Sequence, residues 1–218
     1  MIFVLYADVE PLNDDELFEY FYKNISETRQ KKINAFRMRK DRNLSLGASV
    51  LLDCGLNKLF GLREKEMQYG FSGNGRPFLK NRPDIYFSVS HSGTKAVAAF
   101  SDAEIGADIE KIKNADLKIA KRFFDEKEYD YLNSITDSEK QTAEFYRLWT
   151  MKESYMKFTG LGMKLPLDSF CIEFNENRAF CGETVFYEHD GISGYRLSVC
   201  SRNKNEKPEI ECMGFQKG

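Results

Sequence analysis

Two stretches of this chain carry side chains whose types and spacing could hold a cation and move a proton. The first is Ile105-Gly106-Ala107-Asp108-Ile109-Glu110, where apolar and acidic residues alternate after the apolar run Ala96-Val97-Ala98-Ala99-Phe100, the pattern of a β-strand. Side chains alternate faces along a strand, so Asp108 and Glu110 project together while Ile109 points away. Adjacent carboxylates repel unless a cation lies between them, and an all-oxygen set favours a hard ion such as Mg2+, with Mn2+ as the alternative. An edge strand whose solvent face is simply acidic has the same local pattern. The second stretch, Trp149-Thr150-Met151-Lys152-Glu153-Ser154-Tyr155-Met156-Lys157, lies near the end of a long helical segment. Ser138 with Gln141 three residues on has the form of a capping box, and Gly160 is a stop signal. At 3.6 residues per turn Phe145, Trp149, Glu153 and Lys157 share one face, an aromatic pair leading to an acid and a base. On a wet helix the Glu-to-Lys spacing is also that of an ordinary ion pair worth a few tenths of a kcal/mol, about 0.2–0.5.

The two stretches together are more specific than either alone. Ile-Gly-x-Asp-Ile-Glu, then about forty residues, then Trp-Thr-Met-Lys-Glu-Ser-x-x-Lys resembles the paired signature of the 4'-phosphopantetheinyl transferases, in particular the longer Sfp-type members. Ala120-Lys121-Arg122-Phe123-Phe124 through Glu128-Tyr129, the Phe87-Ser88-Val89-Ser90-His91-Ser92-Gly93 turn and Leu165-Pro166-Leu167-Asp168-Ser169-Phe170 are also similar to that family, so the resemblance covers nearly the whole chain. Ala107 departs from it, standing where the family usually carries Val or Ile; the smaller side chain is expected to loosen packing behind the strand.

The resemblance implies an α+β fold of two pseudo-duplicated lobes, each a small antiparallel sheet packed with helices. The expected division is an N-terminal lobe over 1–103 and a C-terminal lobe over 104–218, with the active site between them. It also implies a reaction: transfer of the 4'-phosphopantetheine arm of coenzyme A to a serine of an acyl or peptidyl carrier protein, releasing adenosine 3',5'-bisphosphate. Asp108, Glu110 and Glu153 would hold Mg2+, and Lys157 would neutralise charge on the leaving phosphate. A serine hydroxyl is too weakly acidic to attack unaided, so a carboxylate must take its proton. Glu153 is the first candidate for that base, with Glu128 or a water as the alternative; Glu128 also resembles the family acid that pairs with the motif lysine, here Lys152.

The elements that must position these groups can be read in order. With 218 residues, 42% of them apolar, the chain can bury one sizeable core or two small ones. A formal charge of -2 argues against a protein wrapped around nucleic acid. Five cysteines without a C-x-x-C pair indicate neither a disulfide framework nor a zinc site, and fit a reducing cytoplasm. Met1 to Tyr6, soon followed by Asp8 and Glu10, reads as a first strand and not a signal peptide; no apolar run approaches membrane-spanning length. Asn13 or Asp14 can cap a helix to about Lys23, Ser26 another to about Phe36, and a longer helix is expected from Asp41 to Phe60.

Arg29 to Arg42 is rich in Lys and Arg and suits phosphate, although a solvated face is the commoner fate of such a run. By resemblance Arg29 and Lys32 hold the 3'-phosphate of coenzyme A, Ser45 lies near the adenine, and Arg76 and Pro77 of Gly75-Arg76-Pro77 form a wall against it. Ser90 and His91 likewise become coenzyme A contacts. Ser90-His91-Ser92 lacks an upstream acid and is no sign of a serine hydrolase. Lys111 to Phe124 resembles the family's connector, and Ile112, Leu117, Ile119, Phe123 and Phe124 could form a landing surface for the carrier. Phe170 to Val199 reads as antiparallel strands, and the chain from Ser201 onward as a polar, loosely held tail. Two lobes in one chain imply a complete site in a monomer. No Walker A sequence or kinase signature set supports a nucleoside-triphosphate enzyme, and filled catalytic positions argue against a degenerate binding module.

Overall fold

Asp14 and Ser26 cap the first two helices with their own side chains, accepting from Leu17 N at 2.8 Å and Arg29 N at 3.3 Å. The computed structural model describes residues 1–176 and 178–217. β1 (Ile2–Asp8) precedes α1 (Asp15–Tyr22), α2 (Glu27–Asn34) and α3 (Arg39–Phe60), the last ending at Gly61 in the left-handed conformation. α3 starts two residues before the expected Asp41. A hairpin of β2 (Tyr69–Phe71) and β3 (Pro77–Leu79) leads into β4 (Tyr86–Ser92), β5 (Lys95–Ser101) and β6 (Ile105–Lys111). Then come α4 (Leu117–Phe123), α5 (Glu126–Ser134) and α6 (Ser138–Thr159), followed by β7 (Glu173–Phe174), β8 (Ala179–Cys181), β9 (Thr184–His189), β10 (Tyr195–Ser201) and β11 (Glu209–Met213).

The strands form two main sheets, ordered β11-β1-β5-β4 and β6-β10-β9-β8-β7. Strand alternation sorts the core into three slabs. Phe3, Leu5, Ala98 and Phe100 face α3; Ile2, Val4, Val97 and Ala99 turn the other way and meet Ile105, Ala107, Ile109, Leu197 and Val199 of the second sheet. The far face of that second sheet packs Phe186 and Cys200 against Leu148 and Met151 of α6. The order is therefore helix, sheet, sheet, helix. Each fully buried aromatic or branched side chain in these slabs stabilises the fold by about 1.5–3 kcal/mol. Ala107 is fully buried in the slab between the sheets.

The sequence expectations need three corrections. The segment read as a polar tail from Ser201 returns to the first lobe: β11 pairs parallel with β1 from Phe3 opposite Glu209 to Ala7 opposite Met213, and Phe215 is buried in the α3 core. The stretch 104–218 thus does not make a lobe by itself, and the first sheet is mixed instead of antiparallel. At the start of α6 the cap is Asp137, which accepts from Lys140 N at 2.7 Å; Ser138 is the first helical residue and Gln141 instead bonds the Leu132 and Ile135 carbonyls. On the connector, Ile119 and Phe123 are exposed, but Phe124 is buried in a stack with Phe145 and Trp149.

Candidate active site

Gly106 decides where α6 lies. A Cβ at that position would fall 1.9 Å from the Ser154 carbonyl oxygen and 2.6 Å from Phe158 N, so a glycine is needed for the α6 backbone to rest on β6. α6 itself ends at Gly160, left-handed at φ 68. With the helix held this way, Trp149, Glu153 and Lys157, one helical turn apart, line the same cleft as Asp108 and Glu110 of β6. The carboxylates and the charged ladder that are separated by some forty residues in the chain meet here.

The cleft has a volume of about 350 Å³. Its opposite wall comes from the first lobe: Arg29 and Lys32 of α2, Ser45 of α3, and Ser90 and His91 of β4. It adjoins a second cleft of about 290 Å³ that shares Arg29, Lys32 and Lys157 and adds Arg76 and Pro77. One end is therefore acidic and the other cationic, the arrangement a metal-bound polyphosphate requires.

Asp108 is the hub. It is only 3% exposed. Its Oδ1 accepts from Ser90 Oγ at 2.6 Å and from Lys157 Nζ at 2.7 Å, while its Oδ2 is buried with no hydrogen-bond partner. Burial pushes the Glu153 carboxyl up, and the Asp108 and Glu110 charges add to the shift against the opposing Lys157. Burial also raises Glu110, with Asp108 adding and a 2.6 Å hydrogen bond from Ser92 opposing. These carboxyls hold protons more tightly than ordinary glutamates chiefly because they are desolvated, with the neighbouring Asp108 charge adding to it. On the cationic side, desolvation and then the Lys157 and Lys32 charges push His91 below the ordinary imidazole value. Desolvation and the neighbouring Arg29 lower Lys32.

Three oxygen-donor side chains lining one cleft and an unpartnered, buried Asp108 Oδ2 suit a hard divalent cation by their chemistry. As the side chains stand, no three acidic, histidine or cysteine groups among the described residues close into a coordination set, and Lys157 holds Asp108 Oδ1. Arg29 shows a similar readiness for an anion. Its Nε lies 3.7 Å from buried Glu64, its guanidinium stacks 4.8 Å over Tyr69, and its Nη2 is buried without a partner.

Two candidates from the sequence are placed differently. Glu128 lies outside this cleft, 3% exposed in the α6 core, with its Oε2 2.6 Å from Lys152 Nζ; the pairing inferred from the resemblance is present, but the carboxylate is not positioned to take a substrate proton. Arg76 borders the adjoining cleft, yet its guanidinium donates to the Phe158 and Ile105 carbonyls and pairs with Glu104, which spends it on joining the lobes. Glu64 has no place in the sequence motifs, and Ser88 and Ser92 stand in the Phe87–Gly93 motif without an assigned role. For the serines the signal was available, since residues 88, 90 and 92 share one face of a strand.

Known proteins bear on this arrangement. A model described as the 4'-phosphopantetheinyl transferase superfamily matches residues 104–200, and one described as 4'-phosphopantetheinyl transferase, N-terminal, matches residues 10–103. The 4'-phosphopantetheinyl transferase Sfp of Bacillus subtilis (strain 168) is 33% identical over 99% of this chain and 98% of its own length. This chain belongs to the 4'-phosphopantetheinyl transferase superfamily. Within the superfamily it groups with Sfp-type members: the 4'-phosphopantetheinyl transferase gsp of Aneurinibacillus migulanus is also 33% identical, over 92% of this chain and 86% of the relative. A more distant phosphopantetheinyl transferase, the L-aminoadipate-semialdehyde dehydrogenase-phosphopantetheinyl transferase of Saccharomyces cerevisiae, is 29% identical over 88% of this chain and 70% of its own.

Proposed function

We propose that this phosphopantetheinyl transferase moves the 4'-phosphopantetheine arm from coenzyme A to a serine hydroxyl of an acyl or peptidyl carrier protein, with Mg2+, and releases adenosine 3',5'-bisphosphate. The observation that carries the proposal is the cleft itself, in which Asp108, Glu110, Glu153 and Lys157 of one lobe face Arg29, Lys32, Ser90 and His91 of the other. A new ester bond forms between the serine oxygen and the phosphorus that bears the pantetheine arm, while the bond from that phosphorus to the nucleotide's bridging oxygen breaks. Asp108, Glu110 and Glu153 would hold the Mg2+, whose role when bound is to neutralise charge on the pyrophosphate.

The chain's own side chains perform the rest. Arg29 has an unpartnered Nη2 for the 3'-phosphate, with Lys32 beside it. His91 donates an N–H to phosphate, and Ser45 and Pro77 border the nucleotide. Lys157 moves from Asp108 to the leaving phosphate as negative charge grows there. Glu153, made more basic than an ordinary glutamate by burial and the Asp108 charge, takes the serine proton. Glu128 is left with a structural role. Among the described residues no helix is long and apolar enough to cross a membrane, and all five cysteines are free, which supports a cytoplasmic enzyme. Both walls of the cleft come from one chain, which supports a monomer.

Intact-mass spectrometry of an apo carrier incubated with the protein, coenzyme A and Mg2+ tests the reading. A gain of about 340 Da, abolished by EDTA, is expected. No gain on fatty-acid, polyketide and peptide-synthetase carriers alike would overturn it.

A further inference from the structure

β4 and β6 are the edge strands of different sheets, and they run side by side without a backbone ladder. Serine side chains fill the gap. Ser88 Oγ accepts from Ala107 N at 3.0 Å and lies 3.5 Å from Ala107 O, and Ser92 Oγ accepts from Lys111 N at 3.2 Å. These hydroxyls stand in for the carbonyl of a neighbouring strand, satisfying β6 amides that would otherwise be unpaired at the lobe boundary. The same two-residue period brings the other serine hydrogens onto carboxylates, Ser90 to Asp108 and Ser92 to Glu110, each at 2.6 Å.

From this seam we infer that Ser92 is a positioning residue for the cation site: it fixes one Glu110 oxygen from the first lobe and ties the β6 backbone beside it. The inference rests on the proposed role of Glu110 as a Mg2+ ligand. Ser92 bonds simultaneously to the carboxylate (as donor) and to the next residue's amide (as acceptor), so its oxygen has one rotamer that serves both. Without it Glu110, half-buried and repelled by Asp108, can swing away from the other ligands. Ser88 makes a seam contact of the same kind but touches no carboxylate, which separates holding the lobes together from aiming a ligand. Outer partners of metal ligands typically change cation affinity by about 10- to 100-fold.

The test is Mn2+ binding to the full chain in saturating coenzyme A without carrier. Free Mn2+ is read by electron paramagnetic resonance and corrected for Mn2+ held by coenzyme A alone. Ser92→Ala is expected to weaken Mn2+ binding about 10- to 100-fold. Ser92→Thr, which keeps the hydroxyl, and Ser88→Ala are expected to stay within about threefold of wild type, although Ser88→Ala lowers Tm. If Ser92→Ala loses its melting transition, Ser92→Cys, with a weak donor in the same space, takes its place. Mn2+ binding by Ser92→Ala equal to wild type overturns the inference alone, and so does an equal loss in Ser88→Ala. No Mn2+ uptake by wild type overturns the metal reading and this inference with it.

Discussion

Helix α6 makes two lysine–carboxylate pairs five residues apart, and they are built for different ends. Lys152 is wholly buried, and its ammonium is shared among Glu128 at 2.6 Å, the Leu167 carbonyl at 2.7 Å and the Phe170 carbonyl at 2.8 Å. The Phe170 ring lies 4.2 Å away, and Glu128 is also held by the backbone amides of Asp125 and Ile172. All three ammonium hydrogens therefore have acceptors, so the pair joins α5, α6 and the following loop. Lys157 is 30% exposed in its side chain, and its partner Asp108 keeps one buried oxygen with no partner. A saturated pair holds a structure; an unsaturated pair facing a cleft can exchange partners when a ligand arrives.

Breaking the two pairs is expected to have different consequences. Lys152→Ala leaves a buried carboxylate with no counter-charge and should cost about 3–5 kcal/mol in urea unfolding; a loss below about 1 kcal/mol would mean the pair is not structural. Lys157→Ala opens onto solvent and should cost about 1–2 kcal/mol. Millimolar Mg2+ should recover part of that loss, because the cation can take the lysine's place beside Asp108, whereas it cannot reach Glu128. Recovery of Lys152→Ala by Mg2+, or none for Lys157→Ala, would erase the distinction.

The smallest effect concerns pH. Glu110 and Glu153 have raised folded-state pKa values from burial and the Asp108 charge. Their contribution to stability is then present below the ordinary carboxylate pKa and is lost as pH rises through the raised values. The metal-free protein should give up stability on this account as pH rises above the ordinary carboxylate range, and the Tm gain from Mg2+ should be larger at pH 7.5 than at pH 5. A gain that shrinks as pH rises would contradict the clustering of these carboxyls.

Much of this arrangement was legible in the sequence because it follows from periodicity. The 3.6-residue spacing put Glu153 and Lys157 on one helix face, and the two-residue spacing put Asp108 with Glu110. Gly106 in the acidic motif has a packing reason that emerges only when α6 is laid against it. The burial of Lys152 had a local clue: Leu148 and Met156 stand one turn away on either side, both buried. β11 was missed because an edge strand of five residues with Glu209 and Glu211 among them reads as polar, and the parallel partner β1 lies at the opposite end of the chain. The Asp137 and Ser138 capping choices are chemically equivalent in sequence, and the helix starts at the one whose backbone is extended. The serine seam depends on two sheet edges meeting, which no local pattern encodes.

The most direct test of the cleft as the site of transfer compares Asp108→Ala with wild type in the apo-carrier mass assay, with Tm measured on the same samples. The expected result is a rate of carrier mass gain reduced at least about a hundredfold with the melting transition retained. Near-wild-type transfer by Asp108→Ala would contradict the assignment of Asp108 as the hub of the site.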